Sequence, residues 1–188
     1  MKKIAASVIL VLFTIAAMAQ NNAPLSRLEK KTMKVEQKKQ TEIMLSQTTA
    51  NALRSGCFVL KADQVRGRGG YAVNVNPTIN FVAVEGEDAY FQLASSSGIG
   101  FNGLGGITLR GRITSFKMDQ GNKHGGYNII MNTIGTGGNL TIMMSVNKTG
   151  EMASAMVSNN WGNRVDLNGS LVPWTGTGKE IFKGRETF

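Results

Sequence analysis

The chain contains a single cysteine, a single histidine and three prolines in 188 residues. One cysteine excludes an internal disulfide framework, and one histidine without a cysteine pair leaves no zinc site of the usual spacing. We therefore expect no metal and no cofactor. Cys57 begins an apolar segment with Phe58 and Val59, so we expect a small buried hydrophobe there rather than a nucleophile.

Catalytic motifs are also missing. The chain has no G-x-S-x-G elbow of the kind that carries a hydrolase serine. A glycosidase needs only two well-placed carboxylates, and the chain offers several. The carboxylates considered are Glu85, Glu87, Asp88, Asp119, Glu151 and Asp166. Most fall in predicted turns, where solvated carboxylates are ordinary, so we assign no catalytic residue.

The N-terminus has the three parts of a secretory signal. The opening MKK precedes an apolar run over residues 4–17, and the small-x-small tripeptide AMA follows at residues 17–19. As a helix this run would rise about 21 Å, short of the ~30 Å hydrocarbon core of a bilayer. We predict a signal peptide over residues 1–19, cleaved before Gln20. The protein is then periplasmic or secreted, with no transmembrane span left.

Positive charge exceeds negative charge, with 21 Lys and Arg against 12 Asp and Glu. Much of the excess lies in a basic lead, residues 20–54, whose stretch from residue 26 lacks Gly and Pro and is rich in helix formers. We predict one helix that packs only through its second half. Its basic side chains are candidate contacts to an anionic envelope surface. These candidates are Lys30, Lys31, Lys34, Lys38 and Lys39. An exported protein meets little nucleic acid, so we expect no such partner.

After residue 55 the composition changes to Gly, Asn, Thr, Val and Ile, with turn residues at intervals typical of short strands. Alternation of apolar and polar residues predicts the strands. They are 58–62, 71–75, 79–84, 89–93, 107–118, 127–134, 140–146, 152–158 and 165–172. We predict an all-β fold over residues 55–174, preceded by one N-terminal helix and followed by a polar tail, 175–188. The fold is a single antiparallel β-sandwich or small barrel of about eight to nine strands.

The segment SSSGIGFNGLGG, residues 95–106, contains the spacing G-x-G-x-x-G. A dinucleotide site needs a helix directly after these glycines, whose amides hold the phosphates. Alternation from Ile107 predicts a strand instead, so we reject a nucleotide cofactor. We interpret the segment as a long loop that binds a ligand or partner together with the predicted turn 159–163. The candidate contacts are Gly98, Gly100, Phe101, Asn102 and Trp161.

Four segments of the chain together resemble a family of exported bacterial proteins, domain of unknown function 4251. They are ANALRSGCFVLKAD, NPTINFVAVEGEDAYFQLA, GGITLRGRITSFKM and VDLNGSLVPW. The resemblance covers about residues 45–175 and is clearest at Asn80-Phe81 and at residues 169–173. It implies a signal peptide, a variable helical lead and an all-β domain. It implies no activity and no catalytic or binding residues.

These observations favour an exported, non-catalytic envelope protein that binds a ligand or partner through loops or strand edges. Two alternatives stay open. One is a carbohydrate-active enzyme that uses paired carboxylates. The other is a structural or assembly protein of the envelope that docks by its basic lead.

Overall fold

A computed structural model describes residues 26–67, 70–94, 106–121, 125–136, 138–174 and 181–187. Within them one helix, α1 (Arg27–Ser55), precedes nine strands. The strands are β1 (Cys57–Arg66), β2 (Ala72–Asn74), β3 (Phe81–Glu85), β4 (Asp88–Leu93), β5 (Ile107–Gln120), β6 (Tyr127–Gly135), β7 (Gly138–Val146), β8 (Ala153–Asn159) and β9 (Arg164–Pro173). The chain divides into two compact units, Met1–Gln40 and Thr41–Phe188.

The described part of the first unit is the first half of α1, which begins at a capping box. The Ser26 hydroxyl accepts a hydrogen bond from the Glu29 amide at 3.2 Å, and the Glu29 carboxylate accepts one from the Ser26 amide at 2.8 Å. These bonds hold the pKa of Glu29 below its ordinary value. The side chains from residue 27 to residue 40 are all exposed. The first half of the helix is therefore solvated, as predicted.

The second unit is a closed antiparallel barrel. Strand β1 pairs with β3 on one side and with β9 on the other, and β3 to β9 pair in sequence order. This closes β1 and β3–β9 into an eight-stranded barrel, while β2 pairs only with the end of β1 at residues 64–66. The all-β prediction is confirmed, and the choice between sandwich and barrel is resolved in favour of the barrel. Every pair of neighbouring strands in the barrel is antiparallel.

The barrel interior is filled by the inward side chains of the strands and by the end of α1. Strand β6 shows the pattern most clearly, since its residues alternate between buried and exposed from Tyr127 to residue 133. Ala52 and Leu53 belong to the same buried cluster, and Thr49 beside them is buried too. The last turns of α1 thus cover the barrel end where β1 begins, which we call the helix end. At this end Glu42 lies 4.0 Å from Lys148 of the β7–β8 turn.

A second buried cluster covers the outside of β1, β3 and β4. It consists of Val59, Phe81, Ala83, Tyr90, Trp174 and Ile181. Residues 181–187, the C-terminal strap, cross this outer face. Lys183 of the strap lies 4.2 Å from the centre of the Tyr90 ring and 4.8 Å from that of Trp174, within cation–π range of both. Trp174 is buried. Cys57 was predicted to be buried but is half-buried, because it is the first residue of β1.

Gln92 of β4 fixes the strap to the barrel. Its side-chain amide donates to the carbonyl oxygens of Ile79 at 3.0 Å and Phe182 at 2.8 Å. Its side-chain oxygen accepts from the Thr108 hydroxyl at 2.8 Å and from the Gly184 amide at 2.7 Å. The Gln92 side chain is fully buried, and its bond to Thr108 forms away from water, while the three bonds to backbone groups are partly buried. Gln92 thus joins the strap to strands that are distant in sequence. The Phe182 amide also donates to the Thr78 carbonyl, and the Thr187 amide to the Thr108 carbonyl, both at 2.8 Å.

Candidate functional site

A cavity of about 510 Å³ lies at the far end of the barrel, opposite the helix end, where β4 ends and β5 begins. We call it the far-end pocket. Its aliphatic lining consists of Val65, Val73, Val75, Ile79 and Leu93. The remaining lining residues are Gly67, Tyr71, Asn74, Asn76, Asn80, Ala94 and Gly106. The volume falls within the range of small-molecule sites, about 300–1,000 Å³.

The barrel register builds the apolar wall of this pocket. Val65 of β1 stands opposite Val73 of β2, and Leu93 of β4 stands opposite Ile107 of β5. Directly opposed residues present their side chains on the same face of a sheet. Val65, Val75 and Leu93 also pack against the buried interior cluster. The floor of the far-end pocket is therefore the barrel core itself.

Two asparagines hold the rim of the pocket in place. The buried side chain of Asn80 donates to the Asn76 carbonyl at 3.0 Å and accepts from the Ala94 amide at 2.8 Å. The Asn76 side chain accepts from the amide and the hydroxyl of Thr78. These bonds tie the connection between β2 and β3 to the end of β4. The rim is thus fixed by its own hydrogen bonds, as a preformed site requires.

The lining of the far-end pocket carries no Asp, Glu, Lys, Arg or His among the residues that the structure describes. Tyr71 contributes the one phenol among the described lining residues. A charged ligand would therefore find no opposite charge in this lining. Aliphatic walls with a few amide groups suit an uncharged, largely apolar molecule.

The predicted loop adjoins this pocket. Gly98, Gly100, Phe101 and Asn102 lie outside the described residues, but Ala94, just before the segment, and Gly106, its last residue, line the pocket. A Cβ atom on Gly106 would lie 2.0 Å from the Leu93 carbonyl oxygen, so the approach of the two strands requires glycine. The chain enters β5 at Ile107, and the glycine motif is followed by a strand, as predicted.

Trp161 lies in the turn between β8 and β9, at the same end of the barrel as the far-end pocket. Its side chain is 74% exposed, so it is not packed into the core. The Asn159 side chain accepts a hydrogen bond from the Trp161 amide at 3.2 Å and shapes the turn. Trp161 is not among the described residues that line the pocket. The wall formed by β2 and Ile79 was not among the predicted contacts.

The basic candidates lie on the exposed first half of α1. With 100° between successive residues, Arg27, Lys30, Lys31, Lys34 and Lys38 fall within an arc of about 100°. We call this the basic face. Lys39 falls outside the arc, on a different side of the helix. Four of the five predicted contacts therefore lie on this face together with Arg27.

Several of the carboxylates considered for catalysis are engaged by other groups. Asp88 lies 2.8 Å from the Arg110 guanidinium, and Asp166 lies 2.9 Å from that of Arg164. Glu151 accepts a hydrogen bond from the Thr149 hydroxyl at 2.8 Å. The part of the chain that the structure describes holds no cluster of three or more His, Cys, Asp or Glu side chains suited to a metal. These arrangements are ordinary for surface charges.

Tyr90 is the described tyrosine with a clearly shifted pKa. Burial under the strap raises the pKa of its phenol above the ordinary value, while the nearby Arg110 guanidinium opposes this rise. The phenol is therefore protonated throughout the physiological range. Tyr90 faces the strap, away from the barrel interior. Its raised pKa is therefore a property of the outer cluster and not of the far-end pocket.

Fold and pocket define a class: a small closed barrel with a helical lead and an apolar cavity at one end. The family model for Domain of unknown function (DUF4251) matches residues 30–171. A solved structure of a DUF4251 family protein from Bacteroides eggerthii DSM 20697 is 30% identical, with a TM-score of 0.57, over 69% of this chain and 88% of that chain. The chain therefore belongs to the DUF4251 family, which confirms the resemblance seen in the sequence. No curated protein matches the chain, and no described helix is long and apolar enough to cross a membrane.

Proposed function

We propose that this protein is an exported, non-catalytic binding protein that holds an uncharged, largely apolar small molecule in the far-end pocket. The observation that carries the proposal is the pocket lining, with five aliphatic side chains and no Asp, Glu, Lys, Arg or His among its described residues. The N-terminal pattern of charge, apolar run and small residues supports export.

The position of α1 supports entry from the far end. Leu53 and Ala52 occupy the interior at the helix end. A ligand that reaches the apolar core must therefore come from the opposite end, where the lining side chains are partly exposed. Burial of apolar ligand surface against this lining contributes about 25 cal/mol per Å². The asparagine-fixed rim limits the conformational entropy lost on binding.

The first test introduces a charge into the lining. Val73→Glu places a carboxylate beside the apolar wall, and a ligand bound there would have to desolvate it. With the uncharged dye N-phenyl-1-naphthylamine as probe, we expect fluorescence enhancement in the native protein and an affinity loss of about tenfold or more in the variant. Ile134→Glu is the control, because Ile134 is 57% exposed against 59% for Val73 and faces outward from β6. Equal dye affinity in both variants contradicts the proposal.

Native mass spectrometry of the protein isolated from its own host envelope tests export and occupancy together. We expect a chain that begins at Gln20, with an excess mass that disappears on denaturation. The size of the excess identifies the class of ligand. An unprocessed N-terminus contradicts export, and a processed chain without excess mass contradicts a tightly held ligand.

The basic face supports a second candidate, docking onto an anionic envelope surface. Five basic side chains share one side of an exposed helix, and each contributes about 1 kcal/mol near an anionic membrane. We expect phosphatidylglycerol vesicles to retain the protein at low salt. Changing Lys30, Lys31, Lys34 and Lys38 to Gln then weakens retention at least about tenfold.

The matched control for the basic face removes the same charge elsewhere, by changing Arg112, Lys117, Lys148 and Arg185 to Gln. This control variant should bind the vesicles like the unmodified protein. Retention that does not depend on salt, or equal losses in the two variants, contradicts docking by the basic face.

A further inference from the structure

Three rows of side chains cross the outer face of strands β6 to β9. The strand register places Asn128 opposite Ser145, Ser145 opposite Ser154, and Ser154 opposite Asn168, and we call these four the open row. The next row is apolar, with Ile130, Met143 and Met156 side by side. Beyond it lies the closed row, Asn132, Thr141 and Ser158. An apolar strip is thus framed by two rows of amides and hydroxyls.

The two polar rows differ in their hydrogen bonds. In the closed row the Thr141 hydroxyl donates to the Asn132 side-chain oxygen at 3.0 Å, and the Ser158 hydroxyl donates to the Thr141 carbonyl at 3.4 Å. In the open row Asn168 donates to Gln64 at 3.3 Å. The side chains of Asn128, Ser145 and Ser154 have no hydrogen-bond partner among the described residues. The open row therefore keeps most of its donors and acceptors available.

Two surface cavities of about 680 and 480 Å³ lie along the open row, and both are lined by Asn128, Ser145, Ser154 and Asn168. We call the two cavities together the trough and these four residues its shared floor. The apolar strip, with Ile130, Met143 and Met156, lines the second of them. With about 4.8 Å between strands, the open row spans about 14 Å. That length accommodates several units of a linear chain.

The four residues that the two cavities share carry no charge, whereas the rest of the lining does. Asp63 and Glu151 line the first cavity, and Arg66, Arg164 and Asp166 line the second. The shared residues are two amides and two hydroxyls, and each of these groups both donates and accepts. Arg164, which lines the second cavity, is paired with Asp166 through two hydrogen bonds of 2.9 and 3.2 Å. Glu151, which lines the first, is engaged by Thr149. The trough thus offers paired hydrogen-bonding groups beside a thioether and aliphatic strip.

We propose that this trough binds a neutral oligosaccharide chain. Sugar hydroxyls both donate and accept, which matches the amides and hydroxyls of the open row. The C–H face of a sugar ring is apolar and suits the Ile130, Met143 and Met156 strip. A neutral chain needs no counter-charge, and the shared floor supplies none. The site is separate from the far-end pocket and does not depend on the function proposed for it.

Affinity electrophoresis in native gels tests this site with four soluble polysaccharides: hydroxyethyl cellulose, galactomannan, xyloglucan and dextran. We expect at least one of them to retard the full chain. A variant with Asn128→Ala, Ser145→Ala and Ser154→Ala should lose the retardation, with a dissociation constant raised at least about tenfold. These three side chains are exposed, and a urea unfolding curve verifies that the variant is folded.

The control variant carries Asn132→Ala, Thr141→Ala and Ser158→Ala, which removes the same kinds of group from the same strands and the same face. It should be retarded like the unmodified protein. Dextran sulfate in a parallel gel reports binding by the basic face, which the open-row changes should leave intact. The proposal is overturned if none of the four neutral polymers retards the native protein, or if both triple variants behave alike.

Discussion

Replacing Gln92 with leucine should lower the free energy of unfolding by about 3–4 kcal/mol. Gln92 is fully buried and makes four hydrogen bonds to Ile79, Phe182, Gly184 and Thr108. Leucine has a similar size but can make none of them. The change leaves several buried polar groups without a partner, and each such group costs about 1–3 kcal/mol. In the variant part of the strap moves into water, which hydrates its polar groups. The total loss of stability is therefore smaller than the sum of these costs.

Urea denaturation measures this loss, followed by tryptophan fluorescence, to which Trp174 of the outer cluster and the exposed Trp161 both contribute. The control is Gln64→Leu, because Gln64 is half-buried and its side chain accepts one hydrogen bond, from Asn168. We expect the control to cost less than about 1 kcal/mol. Similar losses in the two variants would mean that Gln92 does not anchor the strap.

The strands were predictable because most of them have one buried and one exposed face. The predicted strand 140–146 differs from β7 only at its start, and the predicted 89–93 lies within β4. Strand β1 was predicted to end at residue 62 but continues to Arg66. Its register shifts between Ala62 and Gln64, and such a bulge interrupts the alternation on which the prediction depends.

Barrel closure was not predictable from the alternation. It depends on the pairing of β1 with β9, which places Phe58 opposite Pro173, a residue far away in the sequence. Alternation identifies which side chains face inward but not which strands become neighbours. For the same reason the open row was invisible in the sequence. Asn128 and Asn168 are separately ordinary outward residues, and only the barrel aligns them.

The far-end pocket was only partly predictable. The sequence predicted ligand contacts in the segment 95–106 but no pocket, and the described residues Ala94 and Gly106 at its two ends line the pocket. Its walls were not predictable, because Val65, Val73 and Leu93 have the pattern of ordinary strand residues. The strap was missed for a further reason. Its anchoring bonds run from Gln92 to backbone groups about ninety residues away, and backbone partners leave no sequence signal.

Leu53→Ala should lower the free energy of unfolding by about 2–5 kcal/mol. Leu53 is 2% exposed and lies in the interior cluster at the helix end. Alanine there removes apolar contacts and leaves a cavity, and the surrounding strands can close it only in part. Leu28→Ala is the matched control in the same helix, because Leu28 is 76% exposed and its change should alter stability by no more than about 0.5 kcal/mol.

The same variant tests where the ligand enters. Below its unfolding transition, Leu53→Ala should bind N-phenyl-1-naphthylamine with unchanged affinity, because the lining of the far-end pocket lies at the opposite end of the barrel. Val73→Glu should show the reverse, with weakened dye binding and little loss of stability, since Val73 is largely exposed. Dye affinity that falls in Leu53→Ala would instead locate the binding site at the helix end. Stability and binding thus depend on opposite ends of one barrel, and the two variants separate them.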